Sequence, residues 1–542
     1  MSVQTSITNL VINFNWDWNM SDASSLSTVA YASTGTGGGT GPLGRFGSKF
    51  NDAGQINFDQ IVASNRSITP TMVVGEELQI GNNPAVQGER GYITRASMNN
   101  HFWVGAVSSF NHELSENLEL NVGADYRFYK GDHYRQVTNF LGLDGWYENG
   151  NGSIPAGQTV FQSFDVSLFG PTFNKARGDQ QIDYSYSEDI AYIGGFGQIE
   201  YRNDSFSTFL QGALSSQSHQ RFDYFNYTMP SDQESAKITN TGYNVKGGAN
   251  YNISEVHNVF ANAGFYSRQP FHDNIFLNFE NDINPLTENE EITGIEAGYG
   301  YSTRLFSANI NGYFTKWANR TETRTTFLDL VGEDGVDEEY FANFNLIEQT
   351  HYGVELDFIF RPTTTLSVTG FAAVGDWKYS ANPVQSLFDS STLDPVEGLS
   401  NTISYIDGEK VGNAPQTSFN LGVEYDVLPN LSVDADWYYY ADLYAGIDPI
   451  SFTDPEASNE IIKVPSYDLV RLGASYSIPL QGRSSLNFRA NVDNLFNEVY
   501  LSSLATNRPV EDGAATYKGI NTANRAFFGY DRQWSLSVKY NF

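Results

Sequence analysis

The chain of 542 residues contains no cysteine, only 5 methionines, and 31 lysines and arginines against 63 acidic residues. Without cysteine there is no disulfide framework, no thiolate metal site and no cysteine nucleophile. A formal net charge of −32 argues against nucleic acid as a partner, because binding phosphates needs clustered lysine and arginine. We therefore predict no nucleic-acid partner, and no residue pattern indicates a cofactor.

Long hydrophobic runs are also missing. No stretch of eighteen or more apolar residues occurs, so the sequence predicts no transmembrane helix. The first residues, MSVQTSITNLVINFNWDWN, have neither the basic start nor the apolar centre of a secretory signal. A mean hydropathy of −0.38 is still compatible with a membrane, because a barrel strand needs only about ten residues with every second one apolar.

Aromatic residues and glycine are abundant. The chain has 38 phenylalanines, 33 tyrosines, 8 tryptophans and 49 glycines. This excess favours strands and turns over helices. The sequence thus predicts an all-β protein.

Apolar residues recur at every second position over long stretches. Because these rows last about ten to fifteen residues, against five or six in most soluble strands, they suit a tilted strand that crosses a bilayer. The other face carries charges and amides, as expected for a wet or plugged lumen. The clearest apolar rows run through Leu10–Trp18, Leu118–Phe128, Tyr352–Phe360, Phe419–Val427 and Leu486–Val492.

Short polar turns alternate with long loops rich in glycine, asparagine and aspartate. This alternation predicts about seventeen strands in an antiparallel up-and-down transmembrane β-barrel, with periplasmic turns and extracellular loops. No equal repeat of about 40–50 residues indicates a propeller. The turns are predicted at Asn19–Ser24, His112–Glu116, Asn203–Asp204, Asn252–Glu255, Ser302–Arg304, Pro362–Thr364, Leu428–Asn430 and Pro479–Ser484. The loops are predicted at Gly35–Met98, Gly131–Tyr184, Arg268–Glu288, Thr321–Ala342, Asn382–Val411, Asp448–Val464 and Ser502–Asn524.

The last strand alternates up to the terminal residue. Such an ending resembles the signal by which the barrel-assembly machinery recognises outer-membrane proteins. An ordinary amphipathic terminal strand is the alternative. Its apolar positions are Trp534, Leu536, Val538, Tyr540 and Phe542.

Several segments, in order along the chain, resemble TonB-dependent outer-membrane receptors. Near the C-terminus a strand ends in Asn494, Leu495 and Phe496, followed by Tyr500. Earlier segments with a similar likeness are Val411–Ser418, Arg268–Ile275 with Asn284–Leu286 and Glu290–Glu291, and Gly35–Gly41. The likeness runs from about residue 5 to the end.

The resemblance implies a receptor in the outer membrane of a Gram-negative cell. It implies energised uptake of a scarce nutrient, such as a siderophore or another small, glycan or peptide ligand, and a TonB-type partner that acts through a plug. Family barrels have 22 strands around that plug. We therefore interpret residues 1–542 as the barrel portion of an N-terminally incomplete receptor, with plug, signal peptide and first strands missing.

Charged residues on the polar faces are candidate lumen groups that hold the plug or pass the substrate, although structural contacts are the favoured interpretation. Trp16, Trp18, Trp437 and Tyr439 are candidates for the aromatic girdles at the membrane boundaries. The acidic segment Glu333–Glu339 could hold Ca²⁺, but a solvated loop is favoured. The candidate lumen charges are Asp125, Arg127, Glu355, Asp357, Asp434, Asp436 and Arg489.

Three other functions remain open at this level. A passive outer-membrane porin would show the same alternation, and so would a secreted soluble β-rich carbohydrate-binding protein. An outer-membrane enzyme is a third, but no Gly-x-Ser-x-Gly or His-Glu-x-x-His pattern supplies a catalytic group. Gly35–Gly41 is better interpreted as a flexible loop start than as a phosphate-binding loop, because no helix pattern follows it.

Overall fold

The computed structural model describes residues 5–44, 50–51, 53–67, 72–74, 77–79, 91–148, 150–164, 176–328, 338–389, 394–447, 452–455, 461–482 and 484–542. Strands make up 66% of the structure and helices 4%. The all-β prediction is confirmed.

Nineteen strands form the main sheet. Two of them, Val384–Asp389 and Thr402–Ile403, are short, which leaves seventeen long strands among the described residues. They are β1 (Thr5–Ser21), β2 (Ser24–Gly44), β3 (Tyr92–Ser115), β4 (Leu118–Asn139), β5 (Gln181–Arg202), β6 (Phe206–Asp223), β7 (Ile238–Ser254), β8 (His257–Arg268), β9 (Glu290–Ser302), β10 (Phe306–Leu328), β11 (Glu338–Phe360), β12 (Leu366–Tyr379), β13 (Thr417–Leu428), β14 (Leu431–Ala441), β15 (Tyr467–Pro479), β16 (Ser485–Asp493) and β17 (Gln533–Asn541).

Each long strand pairs with the next one along the chain, and every pairing is antiparallel. The sheet is therefore an up-and-down meander, as the alternation of turns and loops predicted. Short turns join β1 to β2, β3 to β4, and so on to β15 and β16, at the eight predicted places.

The long connections after β2, β4 and β10 begin later than predicted, because these strands extend further, whereas those after β12, β14 and β16 begin earlier. Gly35–Gly41 was interpreted as a flexible loop start, and this prediction is wrong. The segment lies in β2, where it is paired with β1 as far as Gly39 and with β3 throughout. Strand pairing on both sides outweighs the low strand preference of glycine.

The connections carry the remaining small elements. The helices are α1 (Phe58–Ser67) and α2 (His272–Ile275), with 3₁₀ turns at Gly178–Gln180 and Leu277–Phe279. Among the described residues, no helix is long and apolar enough to cross a membrane. The remaining short strands are Met72–Val74 with Glu77–Gln79, Trp146–Glu148 with Gln158–Val160, Leu443–Tyr444 with Lys463–Val464, Leu501–Leu504 with Ala526–Phe528, and Thr516–Tyr517 with Ile520–Asn521.

The sheet has an apolar face and a polar face. On the apolar face Phe14, Ile193 and Leu214 are more than 60% exposed, as side chains that meet lipid must be. Buried apolar clusters instead lie at the ends of strands that lead into the long connections. One contains Ile93, Val137, Trp146, Val160 and Ile182. The loops thus have packed apolar cores of their own, whereas the long strands form a wall with exposed side chains on its apolar face.

Candidate functional site

The seven predicted lumen charges all lie on the polar face, but the structure does not bring them together. They form three separate groups on different parts of the sheet. Asp125 and Arg127 lie on β4, Glu355 and Asp357 lie on β11, and Asp434, Asp436 and Arg489 lie on β14 and β16.

The group on β14 and β16 contains a two-pronged ion pair. Both terminal nitrogens of Arg489 contact the carboxylate of Asp434, with Nη2 2.9 Å from Oδ2, and Nε donates to Asn491 Oδ1 at 2.7 Å. The pair crosses over Gly473 of β15, where any Cβ would overlap the guanidinium. Paired charges that bridge three strands indicate a structural contact.

The other two groups contain no such ion pair among the described residues. The guanidinium carbon of Arg127 lies 5.4 Å from the ring centres of both Trp103 and Tyr192, so its charge is held by aromatic faces. On β11, Asp357 Oδ2 accepts a hydrogen bond from Asn309 Nδ2 at 3.0 Å.

Aromatic rings on the polar face were not predicted as a site. The first platform consists of His101, Trp103 and Tyr129. The ring centres of Trp103 and Tyr129 are 4.4 Å apart, and those of His101 and Tyr129 are 5.6 Å apart. His101 Nδ1 also lies 2.7 Å from the hydroxyl of Tyr129. Trp103 is only half-buried, so part of its ring remains exposed.

The second platform consists of Trp317, His351 and Trp377 on β10, β11 and β12. His351 lies 4.6 Å from Trp317 and 5.1 Å from Trp377 between ring centres, and it is nearly parallel to Trp377 at 11°. The indole N–H of Trp377 donates to the hydroxyl of Tyr313 at 2.9 Å. This hydrogen bond holds the Trp377 ring in place.

The third platform consists of Tyr440, Tyr467 and Tyr500. The ring centres are 5.2 Å apart for Tyr440 and Tyr467, and 4.2 Å apart for Tyr467 and Tyr500. The sequence contains a pattern that could have predicted this platform. In the run Trp437–Tyr440, strand alternation places Tyr438 and Tyr440 on the polar face, whereas the prediction followed only the outward-facing Trp437 and Tyr439.

A cleft of about 320 Å³ lies beside the first platform. Its floor is the polar face of β2, where Gly35, Gly37 and Gly39 present no side chains, and its wall includes Trp103 and His101. A Cβ added at Gly39 would meet no atom within 4 Å. We call this feature the glycine shelf. Its lining contains no lysine or arginine.

A buried row of histidines joins the β8–β9 connection to the wall. His272 of α2 lies with Nδ1 3.3 Å from His219 Nδ1, and with Nε2 3.3 Å from Glu188 Oε2 in a poorly aligned contact. Gln217 Nε2 lies 2.9 Å from His219 Nε2. On the other side of Glu188, His133 Nε2 lies 3.3 Å from Oε1.

Neutral histidines fit this row, although Nε2 of His272 has no well-aligned hydrogen-bond partner among the described residues. If Gln217 donates to His219, and His219 donates to His272, the remaining N–H of His272 points to Glu188. Burial lowers the pKa of His272 to about 4, although Glu188 acts to raise it. Burial also raises the pKa of the adjacent Asp273. His272 is therefore uncharged at neutral pH and acts as a buried anchor of this connection.

No group of three or more metal-binding side chains is arranged to hold an ion within the described ranges. The candidate Ca²⁺ segment Glu333–Glu339 lies largely outside those ranges, since residues 329–337 are not described.

The C-terminal motif that resembles the receptor family links β16 to β17 through hydrogen bonds. Asn494, with φ 49°, donates through Nδ2 to the carbonyls of Glu498 and Tyr530 at 2.9 and 3.1 Å. Leu495 N donates to the carbonyl of Val470, and Phe496 is exposed. The motif is thus placed at a structural junction that also positions Tyr500 of the third platform.

The terminal strand pairs with β16 and exposes one apolar row. This row contains the predicted residues Trp534, Leu536, Val538, Tyr540 and Phe542.

The predicted girdle residues face outward in stacked pairs. The rings of Trp16 and Trp18 are 5.9 Å apart, and those of Trp437 and Tyr439 are 6.3 Å apart.

Residues 4–495 match the family model described as TonB dependent receptor-like, beta-barrel. No curated protein matches the sequence. The fold is similar to solved structures of the copper transporter OprC (13% identity, TM-score 0.58, covering 98% of this chain and 64% of that one). It is also similar to the unliganded ferric citrate transporter FecA (10%, 0.57, 99% and 62%) and to BauA, the ferric preacinetobactin receptor from Acinetobacter baumannii (14%, 0.53, 100% and 63%). The chain spans less than two thirds of the length of these three.

Proposed function

Because this chain belongs to the TonB-dependent receptor β-barrel family, whose barrels lie in the Gram-negative outer membrane, we propose that it serves energised uptake of a scarce small ligand across that membrane. Members of the family are transporters and not enzymes. Residues 1–542 form the barrel portion in this proposal, and a plug domain and a TonB-type partner complete the receptor.

The observation that carries the proposal is the set of partly exposed aromatic side chains on the polar face. A passive pore needs only a wet lumen. This lumen wall instead carries three stacked aromatic platforms and a glycine shelf, features typical of a surface that binds a ligand. The long loops on the same side of the sheet would close over the bound ligand.

The other proposed partners are inferred from where the residues that would contact them lie. The outward apolar rows contact outer-membrane lipid. The terminal row that ends at Phe542 is the recognition element for the barrel-assembly machinery. Lumen charges outside the Asp434–Arg489 pair, such as Asp125 and Glu355, contact the plug or the passing ligand.

Uptake measurements in cells that produce the complete receptor test the proposal. We would follow ⁵⁵Fe-citrate, cyanocobalamin and ¹⁴C-maltohexaose as three chemically distinct cargoes. We expect at least one to accumulate only when TonB is present and the inner membrane is energised. Accumulation of a cargo at the same rate without TonB would contradict energised uptake and favour a passive porin.

A further inference from the structure

Building on the proposed function, we propose that the lumen binds a neutral oligosaccharide, with one sugar ring seated on the glycine shelf beside Trp103 and the other aromatic platforms serving as separate stacking positions. Three observations carry the proposal. They are the shape and chemistry of the shelf, the repetition of flat surfaces at one level, and the lack of cationic groups in the shelf lining.

The shelf has the dimensions and chemistry of a subsite for one ring. Glycines at three successive polar-face positions remove side chains from β2, so a ligand can approach the strand closely beside Trp103. The face of an aromatic ring is electron-rich, and the axial C–H bonds of a sugar form an apolar, slightly positive face that packs on it. Ser33 and Asn99 also line the cleft and supply hydrogen-bonding groups for hydroxyls at the ring edge.

Trp103 is held in an orientation suited to stacking. Tyr129, which is 6% exposed, packs against it from the wall, and the guanidinium of Arg127 lies over its ring. The indole N–H of Trp103 has no hydrogen-bond acceptor among the described residues. A ring that is fixed in position and carries an unused donor can bind at little entropic cost.

The platforms lie at one level of the wall. Trp103, Tyr129, Trp317, Trp377, Tyr440 and Tyr467 are all nine to twelve positions from the short-turn end of their strands. At about 3.3 Å per residue and a tilt of about 40°, this corresponds to a height of roughly 23–30 Å. A belt of separate flat surfaces at one height offers several positions at which a ligand that repeats a ring can stack.

The charge distribution favours a neutral ligand. The chain carries a formal net charge of −32, and its field repels anions. Arg489, a cation of the polar face, is neutralised by Asp434, and the guanidinium of Arg127 is held against the rings of Trp103 and Tyr192. The amide of Asn99 and the hydroxyl of Ser33, which line the cleft, are instead suited to sugar hydroxyls.

Calorimetric titration of the complete receptor in detergent tests this assignment. The probes are maltohexaose, cellohexaose, maltose and ferric citrate. We expect a neutral hexasaccharide to bind, and to bind more tightly than maltose, because a longer chain makes more contacts with the wall around the shelf. Ferric citrate should not bind.

Two variants test the site. Trp103→Ala removes the stacking face, and Gly39→Leu fills the shelf where the structure has room for a side chain. Each should weaken hexasaccharide binding by about tenfold or more, and Trp103→Phe should restore most of the affinity. Gly312→Leu is the matched control. It adds the same side chain to the apolar face, where a Cβ would meet only the carbonyl oxygen of Gly353, at 4.0 Å, and should leave affinity unchanged.

The outcomes separate this proposal from the proposed function. Binding of ferric citrate alone, binding of none of the four probes, or hexasaccharide binding that is indifferent to Trp103→Ala and Gly39→Leu would overturn the sugar assignment. If ferric citrate were then imported only with TonB, energised uptake would stand. If the hexasaccharide bound as expected but crossed equally fast without TonB, the sugar assignment would stand and energised uptake would fail.

Discussion

Acidification should release the β8–β9 connection from the wall. The docked His272 has a pKa of about 4, against 6.5 for an exposed histidine. The released state therefore binds more protons between these values, and docking is fully stable above pH 6.5 and weakens as the pH falls towards 4. The difference amounts to about 3 kcal/mol, or roughly a hundredfold change in the docking equilibrium.

The groups that face His272 are consistent with this sign. If Gln217 donates to His219, protonated His272 would face the N–H of His219 Nδ1 at 3.3 Å, and Arg221 also disfavours a second cation. Glu188 acts in the opposite direction but does not reverse the shift. Asp273, with its raised pKa, takes up a proton in the docked state and reduces the effect.

A single spin label can report the change, because the natural chain has no cysteine. We would place it at Asp282→Cys, an exposed position in the same connection, and record nitroxide mobility from pH 7.5 to 4. We expect mobility to rise below about pH 6.5. In His272→Gln, which removes this titrating group, the transition in this window should be much smaller. Equal transitions in both proteins, or a label immobile down to pH 4, would refute the reasoning.

Three further predictions concern the wall. Asp434→Asn should lower the free energy of unfolding by about 1–2 kcal/mol, because it breaks the ion pair with Arg489; heat modifiability on gels measures the change. Asp436→Asn is the control and should lower the free energy of unfolding less. Equal losses would contradict a structural role for the ion pair. Leu421→Arg should reduce the yield of assembled protein in the membrane fraction, since an arginine facing lipid costs about 2–4 kcal/mol near the midplane. Asn420→Arg, on the opposite face of β13, should assemble normally. Similar yields for the two variants would count against the assignment of faces. Deletion of Phe542 should slow insertion into the outer membrane, and unchanged insertion kinetics would exclude it as an assembly signal.

Local patterns predicted the wall well. The alternation in Leu118–Phe128 and Phe419–Val427, together with turns such as Leu428–Asn430, depends only on residues close in sequence. A strand with one apolar face and a tight polar turn needs no knowledge of its neighbours to be recognised. The seventeen long strands and their order followed from this information.

Strand ends and the site did not follow from local patterns. The glycines of Gly35–Gly41 have weak strand preference, and their pairing with β1 and β3 keeps them extended. The predicted charges separated into three groups because their strands are not neighbours in the sheet.

The sequence by itself determined the strand faces, the turns and the family, because each is encoded at short range. The tertiary structure decided which polar-face rings stack, where the glycines leave space, and that His272 returns to Glu188 and His219. These contacts join residues far apart in sequence, such as Trp103 with Tyr129 and His219 with His272, and depend on strand register and on how a loop folds back.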